Sequence, residues 1–327
     1  MVRKGIRYIV AFTTAAVMPF SASSASSGQG FPQRSITIVV PYAVGGTTDI
    51  VARLVASQIA DGLGHPLVVE NRVGAGGLIG WNAVVRAMPD GYTLLTTEMS
   101  FTIAPGLLPE LPFDGYKDFA HIITVAAAPN VLVVTPHLPV KTVQEFIALA
   151  KAKPGAMYYG SGGNGTNTHL GAELFNSAAG IELVHVPYKG AGQVLTDLMA
   201  GQVQALVTSL STVLPHIRSG KLRALVVASE SRSPLLPDVP SAKDANLPGF
   251  HMNFWVGFAA PAGTPQSVVK TLNQTIAAAV NTPNGRHRFA ELGLTPVTDT
   301  PEQATEKVES EIKRWSHVVK SAGVKPD

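Results

Sequence analysis

Ile36-Thr37-Ile38-Val39-Val40-Pro41-Tyr42-Ala43-Val44-Gly45-Gly46-Thr47-Thr48-Asp49 reads as a buried strand that stops at a glycine loop and opens a helix. Ile36, Ile38, Val39 and Val40 form a nearly continuous apolar run, the pattern of a strand covered on both faces. Pro41 ends the hydrogen-bond ladder. Gly45 and Gly46 permit positive φ and leave no Cβ between the backbone N–H groups and an approaching molecule. Thr47, Thr48 or Asp49 can then cap a helix whose apolar positions Ile50, Val51, Leu54, Val55 and Ile59 recur with the helical period. Such a corner aims unpaired N–H groups and the positive end of a helix dipole at one point, which suits an anion. A single βα turn of this kind can also bind nothing, so the rest of the chain must supply the other half of a site.

The chain has 327 residues, enough for about two domains. Hydrophobic residues make up 46% and charged residues 14%, the balance of a packed α/β protein rather than a disordered chain or coiled coil. Cysteine is absent, which excludes disulfides, a thiolate metal site, a Cys nucleophile and a lipidated-cysteine anchor. Arg3, Lys4 and Arg7, the apolar run Tyr8 to Phe20 and the small residues Ser23-Ser24-Ala25 have the layout of a secretory signal, predicting a signal peptide over residues 1–25. Its apolar run, about 13 residues, is shorter than the roughly 20 needed to span a bilayer. Without Arg3, Lys4 and Arg7 the basic residues number 22, equal to the 22 acidic ones. The mature chain is formally neutral, and with no Lys/Arg cluster it carries no nucleic-acid footprint.

The strand–loop–helix theme then repeats. Leu67 to Glu70, the glycines of Asn71 to Gly77 and Leu78 to Ala87 make a second corner, and Tyr92 to Thr96 a third strand with the polar exit Thr97-Glu98-Met99-Ser100. Two strand-like runs, Ile122 to Val125 and Val131 to Val134, are separated by Ala128-Pro129-Asn130, where the first domain crossing is expected. After a helix from Thr142 to Lys151 comes Met157-Tyr158-Tyr159-Gly160-Ser161-Gly162-Gly163-Asn164-Gly165-Thr166-Asn167-Thr168-His169-Leu170, again strand, glycine loop and helix. Val184 to Gly192, Gln193 to Ala200, Ala205 to Ser209, Val213 to Ser219 and Leu222 to Ala228 complete a second α/β unit. The final helix, capped by Thr300, has an apolar stripe through Val308, Ile312, Trp315, Val318 and Val319, and Trp315 is expected in the core. Having no sheet of their own, the last helices are returned to the first unit. The expected organisation is α/β, with residues 26–129 and 251–327 forming one lobe and residues 130–250 the other.

Gly160-Ser161-Gly162-Gly163-Asn164-Gly165 satisfies a dinucleotide glycine pattern, but the acidic residue such a fold needs at the end of the next strand is missing: Glu182 stands at its beginning. No Gly-x-Ser-x-Gly elbow, HExxH helix, P-loop lysine or EF-hand loop occurs, and the nine histidines are scattered. His169, in the first turn after the loop, is expected to orient that loop, and Asp49 to brace its own. Two glycine-rich helix starts with small hydroxyl residues, and no nucleophile, metal set or acid/base pair, favour capture over catalysis.

Pro41 to Arg53, Glu70 to Gly77, Gly160 to Leu170, Val186-Pro187-Tyr188-Lys189-Gly190 and Trp255 to Pro265 together resemble the extracytoplasmic solute receptors of tripartite tricarboxylate transporters, the Bug-type receptors. The resemblance runs over essentially the whole mature chain in the same order. It implies a two-lobed type II periplasmic-binding-protein fold, each lobe a mainly parallel sheet flanked by helices. It further implies a small carboxylate as cleft ligand and delivery to an integral-membrane permease; apart from the resemblance, a periplasmic monomer without cofactor or metal is expected. Carried over from the family, the ligand-binding positions are Tyr42, Ala43, Gly45, Gly46, Thr47 and Asp49 in one lobe and Ser161, Asn164, Gly165 and Thr166 in the other. Tyr188, Lys189 and Ser209 are expected at the rim. Val44 is expected to make the pocket more apolar, and Glu98 to face solvent. Competing readings are an extracytoplasmic hydrolase or lyase on the same frame, and a sensor for a membrane signalling partner. Dicarboxylates, tricarboxylates, acidic amino acids and aromatic acids all satisfy two amide-lined loops. Gly46→Val is expected to abolish binding by straining the loop and blocking the anion.

Overall fold

The structure is a computed structural model that describes Met1, residues 30–108 and residues 110–322. Apart from Met1, the expected signal peptide and its cleavage site lie outside these residues. Strand β1 (Ile36–Val40) leads into α1 (Thr47–Leu63), β2 (Leu67–Asn71) into α2 (Leu78–Val85), and β3 (Thr93–Glu98) into α3 (Met99–Leu107). The long β4 (Phe119–Val134) is followed by α4 (Val143–Ala152), β5 (Tyr158–Ser161), α5 (Asn167–Ala179), β6 (Val184–Pro187) and α6 (Ala191–Ala200). Then come β7 (Ala205–Ser209), α7 (Leu210–Arg218), β8 (Arg223–Val227) and β9 (Asn253–Pro261). The chain closes with α8 (Gln266–Asn281), α9 (Pro283–Glu291), the short β10 (Thr295–Pro296) and α10 (Pro301–Ala322). No helix among the described residues is long and apolar enough to cross a membrane.

The strands hydrogen-bond in the order β2-β1-β3-β9-β4-β7-β5-β6, with β8 and β10 paired to β4. Pairing is parallel where βα units succeed one another, in β2-β1-β3 and in β7-β5-β6. It is antiparallel in the middle, where β9 pairs with β3 and β4, and β4 with β7 and β8. The expectation of mainly parallel sheets therefore holds at the two ends only. The reason is connectivity: β4 and β9 carry the chain between the ends and run against their neighbours, rather than returning through a crossover helix.

The two runs expected as separate strands are one. Residues Phe119 to Pro129 of β4 pair with β9, and Asn130 to Val134 pair with β7. At the change of partner three chain segments meet: Asn130 N donates to Met252 O (3.1 Å), Met252 N to Ala228 O (3.0 Å) and Ala228 N to Asn130 O (2.8 Å).

The apolar stripe of α1 packs inward as its spacing demands, with Val51, Val55 and Ile59 no more than 1% exposed. Each such side chain contributes about 1.5–3 kcal/mol on burial. Trp315 is 1% exposed in the core, its Nε1–H donating to Glu311 Oε2 at 2.7 Å. Helix α3 was not expected, because it contains Pro105 and Gly106, residues that read as a break. The glycine is needed for packing: a Cβ at Gly106 would stand 2.6 Å from the Ser316 Cα of α10. Helix α7 likewise begins at Leu210, three residues before the expected Val213.

Candidate functional site

At the first glycine corner, Gly46 occupies the position before α1 with φ −77 and ψ 163, and no side chain caps the helix. The first-turn amides are thus left for another acceptor. Asp49 turns back on the loop. Its Oδ2 accepts from Gly45 N (3.1 Å), and its Oδ1 from Arg53 Nε (3.0 Å) and Asn71 Nδ2 (3.0 Å). Asn71 Nδ2 also donates to Tyr42 O at 2.9 Å, tying β2 to the loop. Burial pushes the Asp49 carboxyl up, but hydrogen bonds from Arg53, Asn71 and Gly45 outweigh it and hold the pKa below the ordinary value. Gly45 is the residue at positive φ (+90). Strain from a side chain would therefore fall on Gly45, not on Gly46, whose added Cβ would meet only Ala43 O at 3.9 Å.

The second corner is built from its own side chains. Gly162 N donates to Thr168 Oγ1 (2.8 Å), Gly163 N to Ser161 Oγ (3.1 Å), Gly165 N to His169 Nδ1 (3.1 Å) and Thr166 N to Gly163 O (3.2 Å). His169 thus orients the loop as its position in the sequence suggested, in the tautomer with Nδ1 as acceptor. Its ring stacks on that of His185 at 4.0 Å, and His185 Nε2 lies 2.6 Å from Ser161 Oγ. Asn167 N, the first amide of α5, donates to Ser100 Oγ of α3 at 2.9 Å. Thr47 Oγ1 makes the matching contact from the first corner, 2.7 Å from both Ser211 Oγ and Thr212 Oγ1.

Between the corners lie two cavities that share Tyr42 and Gly162. The inner one, about 40 Å³, is lined by Ala43, Gly46, Thr47, Thr166 and Ser209 among others, and has room for water but not for an organic acid. The outer one, about 330 Å³, is reached by Asn164, Gly165, Tyr188 and Lys189. Ten of the expected site residues therefore line one cavity or the other. Gly45, Asp49 and Ser161 line neither: Gly45 is exposed in its loop, while Asp49 and Ser161 brace their loops by accepting from Gly45 N and Gly163 N. Tyr188 donates to Asp197 Oδ2 at 2.6 Å, and burial together with that carboxylate raises its pKa to about 12. Among the described residues no group of three or more His, Cys, Asp or Glu side chains is placed to hold a metal ion.

Two expectations are corrected. Val44 is 63% exposed and lines neither cavity, so it cannot make the pocket more apolar. Glu98 is 2% exposed rather than facing solvent. It precedes α3, where its Oε2 accepts from Ser100 N (2.9 Å), while its Oε1 accepts from Tyr42 OH (2.5 Å). Burial raises its pKa, and Tyr42's is raised too, first by burial and then by the neighbouring carboxylate. Sequence reasoning also left out the Gly74–Gly77 loop, Trp81 and Leu107, which line the outer cavity. The glycine loop gave a signal, being the second βα corner; Leu107 gave none, because α3 itself was unread.

The fold is that of the periplasmic binding proteins. Within that class, residues 51–324 match the family described as "Tripartite tricarboxylate transporter family receptor", and this chain belongs to it. It is similar to protein BugT of Bordetella pertussis, 38% identical over 301 residues that cover 91% of this chain and 92% of the relative. Among solved structures it is similar to MatC of Rhodopseudomonas palustris with bound malate, at 34% identity and a TM-score of 0.85, covering 88% of this chain and 100% of that one. It is also similar to an R. palustris protein solved with adipate, at 35% identity and a TM-score of 0.88, covering 91% and 100%. The homologues are solute-binding receptors, not enzymes, and the hydrolase or lyase reading falls with that.

Proposed function

We propose that this receptor captures a small organic carboxylate between two lobes, residues 26–129 with 251–327 and residues 130–250, and passes it to a two-component membrane permease. It works in the periplasm, after removal of residues 1–25 as a signal peptide. The observation that carries the reading is the uncapped start of α1 facing Thr166 and Thr168 across the inner cavity, with the larger cavity opening beside it. The ligand occupies the outer cavity, the one of the two with room for an organic acid. Hydrogen bonds from neutral loop donors are weaker than charge-assisted ones, which allows release. The malate and adipate held by the two R. palustris relatives support a carboxylate as ligand.

Calorimetric titration with malate, adipate and citrate tests this on the wild type and on Gly46→Val. The variant is expected to fold normally, since Gly46 is not at positive φ, and to lose at least about tenfold in affinity, or about 1.4 kcal/mol, by filling the inner cavity. Unchanged affinity would remove the first corner from the site.

A further inference from the structure

The walls of the two cavities carry very little charge. Among the described residues that line them, Lys189 is the one cation and Glu98 the one anion. They stand on different cavities, Lys189 on the outer and Glu98 on the inner. Lys189 is exposed and makes no ion pair among the described residues; its backbone N donates to Gln193 Oε1. Both Glu98 oxygens act as acceptors, from Tyr42 OH and from Ser100 N, the pattern of an ionised carboxylate. Much of the rest of the outer cavity is apolar: Leu78, Ala104, Leu107 and Leu108 line it, and Trp81 adds an indole ring that is 2% exposed. The Trp81 Nε1–H is buried and has no acceptor among the described residues.

We propose that this site selects a carboxylic acid with a single charged end and an apolar body, and discriminates against acids charged at both ends. The inference rests on the carboxylate-receptor reading and narrows it. One carboxylate can be answered by Lys189 and the loop donors. A second finds no cation on the walls and, at the Tyr42 junction, meets the like charge of Glu98, which disfavours it in a poorly solvated cleft. The hydrocarbon or aromatic body is what Leu78, Ala104, Leu107 and Leu108 desolvate well.

The discriminating pair is hexanoate and adipate, six-carbon acids that differ in the second carboxylate. Both are titrated calorimetrically at pH 7.5 into the full mature protein, with phenylacetate, citrate and glutamate alongside. Hexanoate or phenylacetate is expected to bind at least about tenfold more tightly than adipate, citrate or glutamate. Glu98→Gln should shrink the hexanoate-over-adipate preference severalfold, and Lys189→Gln, on an exposed side chain, should weaken hexanoate about fivefold without changing thermal stability. Adipate, citrate or glutamate binding most tightly would overturn the proposal while leaving the carboxylate receptor standing. Failure of all five acids to bind would overturn both. A Glu98→Gln protein with an unaltered preference overturns the role assigned to Glu98 as the repelling charge.

Discussion

The two glycine corners look alike in sequence and are put together differently. At Gly45-Gly46 a carboxylate several residues into the helix, Asp49, braces the loop and leaves the first-turn amides of α1 without a capping side chain. At Gly162 to Gly165 the loop amides are already spent on Thr168, Ser161 and His169, and the first amide of α5 on Ser100. The same motif thus yields a donor on one side and a prebuilt wall on the other. A glycine loop marks where a backbone comes close to something. Which side chains follow it decides whether its N–H groups remain available.

That contrast breaks most easily at Asp49. Asp49→Ala removes three hydrogen bonds to a buried carboxylate and is expected to cost about 2–3 kcal/mol of unfolding free energy in urea titration, with loss of ligand affinity. The pH dependence has a definite sign. The folded pKa of Asp49 lies below its unfolded value, so its stabilisation is present above about pH 4 and fades as acid takes the pH down through the folded pKa. Asp49→Asn should accordingly flatten the acid limb of the stability profile. A variant as acid-sensitive as the wild type would mean that the first corner does not depend on this carboxylate.

At the second corner, His169→Ala leaves the Gly165 N–H without its acceptor and is expected to cost about 1–3 kcal/mol by the same measurement. Undiminished stability would mean the second loop does not need its own side chains, and the two corners would be equivalent after all. The smallest effect is expected where they meet. Thr47→Val keeps the shape but drops the hydroxyl that touches Ser211 and Thr212, which should weaken ligand binding about fivefold, near 1 kcal/mol, with little change in melting temperature.

Much of this was legible locally. The apolar run of β1, the helical spacing of α1, the glycine loops and the burial of Trp315 follow from residues a few positions apart. What escaped depended on distant partners. Glu98 reads as a surface carboxylate until Tyr42, 56 residues away, is seen donating to it. Helix α3 reads as a broken segment because Pro105 and Gly106 argue against it locally, and only its contact with α10 explains why a residue without a side chain is placed there. Ten of the expected site residues line the cavities because a loop's backbone geometry travels with its motif. The apolar wall came from an element that the pattern did not reveal.

The meeting of Asn130, Ala228 and Met252 sets how the molecule can flex. Three peptide units tied in a closed ring resist shear and sliding, since any such displacement would break a bond in a setting where the Asn130 residue is fully buried. Bending of the flanking strands about that ring leaves it intact. If the two proposed lobes part for solute entry, this ring is where the motion should pivot rather than slide.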